Sequence, residues 1–348
     1  MKIFKYLNCF LPIILSFYAC QSKGEQESET EKEEVISYLV SRTLDNLLIE
    51  YEADSGLVII MDSKQNKIIS RIFAHRSNSG INHSAYHPIC FPAMIRGMVY
   101  LAALQVDHIE DEMVYNTGPG IYLSHLPLGK KEKELIKDHN WRRGGYNSIS
   151  MQRGFEVHSN IATTMVIEHA LSLNSEMFLN ALKQQGINIE KNDISLNNLL
   201  SIKITPEEQT MWMNLVATIG RSDSLYIDLQ SNKKFMFAIN RLRKVLRQEV
   251  KQGLSRKADS YITDVCGTGF TYKSADYDVP DKSIYWCAFC GYFPIYDPVC
   301  TIYVELSKSG LPLSAGGMCG RIFKTIVEDL CTANIESLKK MQEINDKQ

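Results

Sequence analysis

Nine cysteines and eight histidines supply this chain with nucleophiles, proton carriers and metal ligands, and their spacing decides which chemistry is open to it. Cys287-Ala288-Phe289-Cys290 has the spacing of a metal or redox pair. It lies in an apolar run that reads as a strand, where residues three apart point to opposite faces, so buried free thiols are expected there and no metal site. His75, His83, His87 and Cys90 fall in one short polar stretch whose spacing matches no closed zinc site. Asp138-His139-Asn140 sets an acid beside a histidine with no further ligand, and reads as structural. The charged residues near Glu132 and Arg241 read as solvated helix faces. No metal and no cofactor is expected.

The N-terminus carries a different chemistry. Lys2 and Lys5 precede an apolar run from Phe10 to Tyr18 that is too short to span a bilayer, the pattern of an export signal. The run ends in Phe17-Tyr18-Ala19-Cys20, which looks like a bacterial lipobox, so Cys20 is expected to be lipidated and to become the mature N-terminus. The expected organisation is a lipoprotein signal over 1–20, an acidic flexible tether over 21–34, one folded domain over 35–335 and a polar tail over 336–348. Such a protein sits in the cell envelope, anchored to the inner or outer membrane through lipid on Cys20 and facing the periplasm or cell surface. A formal net charge of -2, without a basic run interleaved with aromatics, argues against nucleic acid as a partner.

The elements that must position any site follow from periodicity. Residues 34–51 carry apolar side chains at helical spacing, and Leu57-Val58-Ile59-Ile60-Met61 then reads as a buried strand that pairs in a hairpin with Lys67–Ile72. Helices are predicted over Met94–Leu104, Phe155–Leu182, from a Thr205 cap with Pro206 in the first turn, over Phe235–Gly253 and over Gly317–Leu330. Strands are predicted around Ser260–Phe270, Ser283–Phe293 and Val299–Leu306. Helices in the middle with strands at both ends predict a single α+β domain, with an antiparallel sheet formed by both chain ends and a helical cluster beside it.

This order, with several local strings, resembles the transpeptidase domain of class B penicillin-binding proteins, the monofunctional crosslinkers of the cell wall. The strings are Gly56–Asp62 with Lys67-Ile68-Ile69, Asn116-Thr117-Gly118-Pro119-Gly120, Asp138–Tyr146, Ile204–Gln209 with Trp212-Met213-Asn214 and Ala217, Ala288–Pro294 with Ile302-Tyr303-Val304, and Gly316–Phe323. The likeness runs from about Gly56 to Leu330 and has no counterpart of that family's N-terminal pedestal domain. It implies the β-lactamase-like transpeptidase fold. It also implies three motifs for acyl transfer from a D-alanyl peptide: Ser-x-x-Lys at a helix start, Ser-x-Asn on a loop, and Lys-Thr-Gly on the strand facing the nucleophile.

Each motif is degenerate here. Counting back from Leu101-Ala102-Ala103-Leu104-Gln105 puts Ala93 at the serine position and Arg96 at the lysine position. Anchoring on Pro92 gives Met94 and Gly97 instead, and anchoring on Tyr86-His87-Pro88 gives Cys90 and Ala93, the one placement that leaves a nucleophile. Arg96 cannot act as the base because its guanidinium stays protonated, and Cys90 has no base three residues on. The second motif falls at His158-Ser159-Asn160, with Asn160 kept and His158 in place of serine. In the third, the lysine is missing from Gly267-Thr268-Gly269: either Thr268 takes its place or the residue is deleted between Gly267 and Thr268.

The inference is a pseudo-transpeptidase without an intact catalytic set. Three functions remain open: a non-catalytic protein whose groove binds peptidoglycan stem peptides or cell-wall synthesis partners, an active D,D-transpeptidase or carboxypeptidase using a nucleophile such as Cys90, or an interaction protein with a closed groove.

Overall fold

Leu57-Val58-Ile59-Ile60-Met61 is apolar at every position because both faces of its strand are covered, Leu57 and Ile59 by one hydrophobic core and Val58 and Ile60 by another. The computed structural model describes residues 24–84, 91–92, 94–127, 133–220, 232–273 and 284–345. The segment expected as a signal, with Cys20, residues 85–90 with Cys90, and Ala93 lie outside them.

The chain opens with helix α1 (Gly24–Glu50), strands β1 (Ser55–Asp62), β2 (Lys67–Ser77), β3 (Gly80–His83) and β4 (Phe91–Pro92), and helix α2 (Ile95–Ala103). Short strands β5 (Val114–Asn116), β6 (Ile121–Leu123), β7 (Leu135–Lys137) and β8 (Ser148–Ser150) follow, then helices α3 (Met151–Glu156), α4 (Asn160–Lys183) and α5 (Leu196–Leu200). Strand β9 (Lys203–Ile204) leads to helices α6 (Pro206–Thr218) and α7 (Lys233–Gln252). Strands β10 (Cys266–Lys273), β11 (Ile284–Phe293) and β12 (Cys300–Ser309) and helix α8 (Gly320–Asn345) close the chain.

The main sheet has the order β10-β11-β12-β1-β2-β3 with every neighbour antiparallel, so the two ends of the chain meet where β12 pairs with β1. This is the α+β arrangement expected from the sequence. One face of the sheet packs on α1 and α8 through Leu44, Leu48, Phe289, Phe323 and Ile326. The other packs on α2, α4, α6 and α7 through Tyr303, Met98, Ile167, Met213 and Leu242. Cys287 belongs to the first core and Cys290 to the second, as strand alternation requires of residues three apart.

Several boundaries differ from the sequence reading. Residues 24–34, expected as a tether, are the first turns of α1; their Glu-rich composition is compatible with helix, and Glu33 meets Lys67 at 3.3 Å. The closing helix runs on to Asn345, into the segment expected as a tail. The strand predicted from Ser260 starts only at Cys266, because residues before it form a short 3-10 turn, Arg256–Ala258, and an irregular approach to the sheet. The helix predicted over Phe155–Leu182 is two helices, broken at Val157-His158-Ser159.

Candidate active-site groove

The groove is built where the head of α2, the break between α3 and α4, and the edge strand β10 converge. α2 lies against α6 because Gly97 lacks a side chain: a Cβ there would meet Trp212 Cη2 at 2.7 Å. α6 is in turn fixed at its start by a capping box, in which Thr205 Oγ1 accepts from the Glu208 N–H at 3.1 Å and the Glu208 carboxylate accepts from the Thr205 N–H at 2.7 Å. Trp212 Nε1 donates to Gln185 Oε1 at 3.1 Å, which ties the same indole to the end of α4.

The break carries the second motif. His158 has φ of +52°, a left-handed conformation that ends α3 and re-aims the chain. Ser159 then caps α4, its hydroxyl accepting from the Ala162 N–H at 3.0 Å while lying 2.9 and 3.0 Å from the two oxygens of Asp138. Asp138 is buried and also accepts from the Ile161 N–H at 3.1 Å. Asp138 of the Asp138-His139-Asn140 string is therefore the anchor of the α4 start, and His139 makes a 2.9 Å contact between its Nε2 and the Tyr146 hydroxyl. The following Gly144 and Gly145 both take positive φ, and Gly145 lies so close to Gly120 that a Cβ would fall 2.2 Å from the Gly120 nitrogen.

Arg96, in the first turn of α2, reaches across to the second motif, its Nη2 donating to Asn160 Oδ1 at 2.5 Å. Asn160 is held from its other side, where Nδ2 donates to the Lys137 carbonyl at 2.9 Å. Burial pushes the Arg96 guanidinium down from its ordinary value, and the carboxylates of Glu249 and Asp138 pull it back up. Arg96 Nε finds no hydrogen-bond partner among the described residues.

Below this pair, His158 Nε2 lies 3.0 Å from Glu249 Oε1, out of line for a hydrogen bond. Glu249 comes from α7 and is fully buried; Ser255 Oγ donates to its Oε1 at 2.5 Å, while its Oε2 has no partner among the described residues. The third wall is β10, where Gly267, Thr268 and Gly269 pair with Gly291, Cys290 and Phe289 of β11. Met94, Ile95, Arg96, Gly97, His158, Thr268, Gly269 and Phe270 line a cavity of about 10 Å³. That is room for about one water molecule. A larger cleft of about 320 Å³ lies elsewhere, between Asn174 of α4 and Lys234 of α7.

No protein-family model matches the sequence, and no curated protein matches it closely. Solved structures do. The transpeptidase domain of the FtsI4 D,D-transpeptidase from Legionella pneumophila superposes with a TM-score of 0.59 at 16% identity, over 85% of this chain and 96% of that one. The transpeptidase domain of penicillin-binding protein 3 from Burkholderia pseudomallei gives 0.63 at 15% identity, over 86% and 94% of the two chains. The fold is that of a penicillin-binding-protein transpeptidase domain. A peptidoglycan glycosyltransferase from Burkholderia ambifaria is similar at the same level, with a TM-score of 0.64 and 14% identity over 86% of this chain and 96% of that chain.

Within this transpeptidase fold, the structure brings together Arg96, His158, Asn160, Thr268 and Gly269 from the three motif positions expected from the sequence. Gly267 sits one residue away on β10, turned toward Phe289, whose ring a Cβ would strike at 2.4 Å. Ala93 and Cys90 lie outside the described residues. The histidine and cysteine stretch is divided: His83 Nε2 lies 3.1 Å from Asp45 Oδ2, while His87 falls outside the described residues with Cys90.

The sequence reading passed over Glu249. Its signal was present, since Phe235, Ala238, Ile239, Leu242, Val245, Leu246, Glu249 and Val250 form the buried stripe of α7, and a carboxylate at helical spacing with apolar neighbours marks a buried charge.

Proposed function

We propose that this chain is a cell-envelope lipoprotein in which the transpeptidase fold works by binding and not by acyl transfer, with a protein of the cell-wall synthesis machinery as its partner. The observation that carries this reading is the 2.5 Å hydrogen bond from Arg96 to Asn160 beside a cavity of about 10 Å³. A cation that keeps its proton stands in the first turn of α2, and the space that the described residues leave between them and β10 is far below the several hundred Å³ that a small ligand fills. Partner contacts then fall on the outer surface, and the groove serves as a packed polar seam. Lipid on Cys20 supplies the membrane attachment; no described helix is long and apolar enough to cross a membrane.

A second reading keeps the groove as a seat for stem peptides. It is favoured by Arg96 Nε, which lacks a partner among the described residues and would engage a terminal carboxylate once the walls part.

A fluorescent β-lactam and a muropeptide titration separate the readings. The closed groove gives neither covalent labelling nor heat of binding. Heat that disappears in Arg96→Ala selects the peptide seat, and labelling abolished by Cys90→Ala replaces both readings with a thiol acyltransferase. Incorporation of labelled palmitate that is lost in Cys20→Ala checks the anchor.

A further inference from the structure

Cys287 and Cys319 come from different elements, β11 and the π-helical turn Ala315–Cys319 that leads into α8. Their sulfurs lie 3.3 Å apart, and neither residue is exposed to solvent. Both belong to the core between the sheet and α8, where Cys319 Sγ donates to the Cys287 carbonyl at 3.3 Å. A disulfide needs the sulfurs at about 2.05 Å, so the pair is roughly 1.3 Å short of bonding distance.

We propose that Cys287 and Cys319 are joined by a disulfide in the mature protein, made while the chain folds. The oxidant is another disulfide, either a small-molecule one or that of a thiol–disulfide oxidoreductase. The thiolate of one cysteine attacks it and releases one oxidant thiol, leaving a mixed disulfide. The second cysteine then attacks the chain's own sulfur in that bond and releases the other thiol. The two cysteines together lose two electrons and two protons, and the oxidant becomes two thiols.

The fold sets the timing. Burial, reinforced by the neighbouring Cys287, pushes the Cys319 thiol well above its usual range. The attacking thiolate is therefore scarce once the core has packed, and exchange belongs to the earlier, solvated stage. The bond, once formed, is protected for the same reason.

Its mechanical role follows from what the turn supports. Ala315 lies in that turn, and its Cβ would be 2.8 Å from any Cβ at Gly269 of β10. A covalent tie from Cys319 to β11 thus fixes the turn against the strand that walls the groove. This inference stands on the juxtaposed thiols and is independent of how the groove is used.

The test refolds the full mature chain from denaturant with excess oxidised glutathione, alkylates it in denaturant and maps it by tandem mass spectrometry. The expected result is a Cys287–Cys319 cross-linked peptide pair that vanishes on reduction. Reductant should also lower the thermal midpoint by several degrees in the wild type and by less in Cys287→Ala. Alkyl groups on both cysteines, or either one bonded to Cys300 or Cys331 instead, would overturn the proposal.

Discussion

His158 and Glu249 meet at 3.0 Å across the floor of the groove, one from a left-handed turn between two helices and the other from the buried stripe of α7. Each restrains the other. The histidine covers a carboxylate that no water reaches, and the carboxylate holds a turn whose φ of +52° is unfavourable for a side chain with a Cβ.

Removing the imidazole therefore exposes two separate costs. His158→Ala leaves the Glu249 carboxylate buried with the Ser255 hydroxyl donating to it and the Arg96 charge nearby, and keeps the strained turn, with an expected loss of about 2 kcal/mol in urea unfolding. His158→Gly loses the same contact but relaxes the turn, so it should be less destabilising by about 0.5–1 kcal/mol. Equal losses would show that the turn carries no strain.

Arg96 should behave as a structural cation. Arg96→Met removes the bond to Asn160 and the charge that faces Glu249 and Asp138, with an expected loss of about 2–4 kcal/mol. Arg96→Lys keeps the charge and places an amine at that position. On the proposed binding role it should still give no covalent β-lactam labelling, because an amine alone does no acyl transfer; a labelled band on a gel would contradict that proposal.

The contact between α2 and α6 has no slack. Gly97→Ala drives a methyl against the Trp212 ring and should cost about 1–3 kcal/mol. In a Trp212→Leu background the same change should cost less, and that coupling, read from a double-mutant cycle, distinguishes a steric clash from a helix effect.

Glu305 gives the protein a pH dependence of its own. Burial raises its carboxyl to about 8, against a smaller lowering by the Tyr303 hydroxyl, which donates to it at 2.7 Å. In the unfolded chain the same group titrates near 4.5. Between those values the folded protein holds a proton that the unfolded chain has released, so stability falls as pH rises from about 4.5 to about 8 and is level outside that window. Glu305→Gln should flatten the slope and stabilise the protein at pH 8, by an amount on the order of 3 kcal/mol. A variant whose thermal midpoint follows pH as the wild type does would assign the dependence elsewhere.

By itself the sequence determined what local rules and residue chemistry determine. The continuous apolar run of β1 announced a buried strand, Thr205-Pro206-Glu207-Glu208 announced a capped helix, and Cys287 and Cys290 were assigned to opposite faces by strand alternation alone. Arg96, His158 and Thr268 were singled out from the sequence, and the fold brings them to one cavity; a residue's capacity to accept a proton or donate a hydroxyl does not depend on its surroundings for its existence.

Tertiary structure decided everything that depends on partners distant in the chain. Nothing near His158 signals its left-handed turn, since histidine has only a modest tolerance for that conformation and the turn is held by packing and by Glu249, far along the chain. The anchoring of Ser159 by Asp138, the bond from Arg96 to Asn160, the small cavity of about 10 Å³ beside it and the meeting of Cys287 with Cys319 likewise depend on long-range pairings. Periodicity reports which face of an element is buried, and only the assembled fold reports which buried groups face one another.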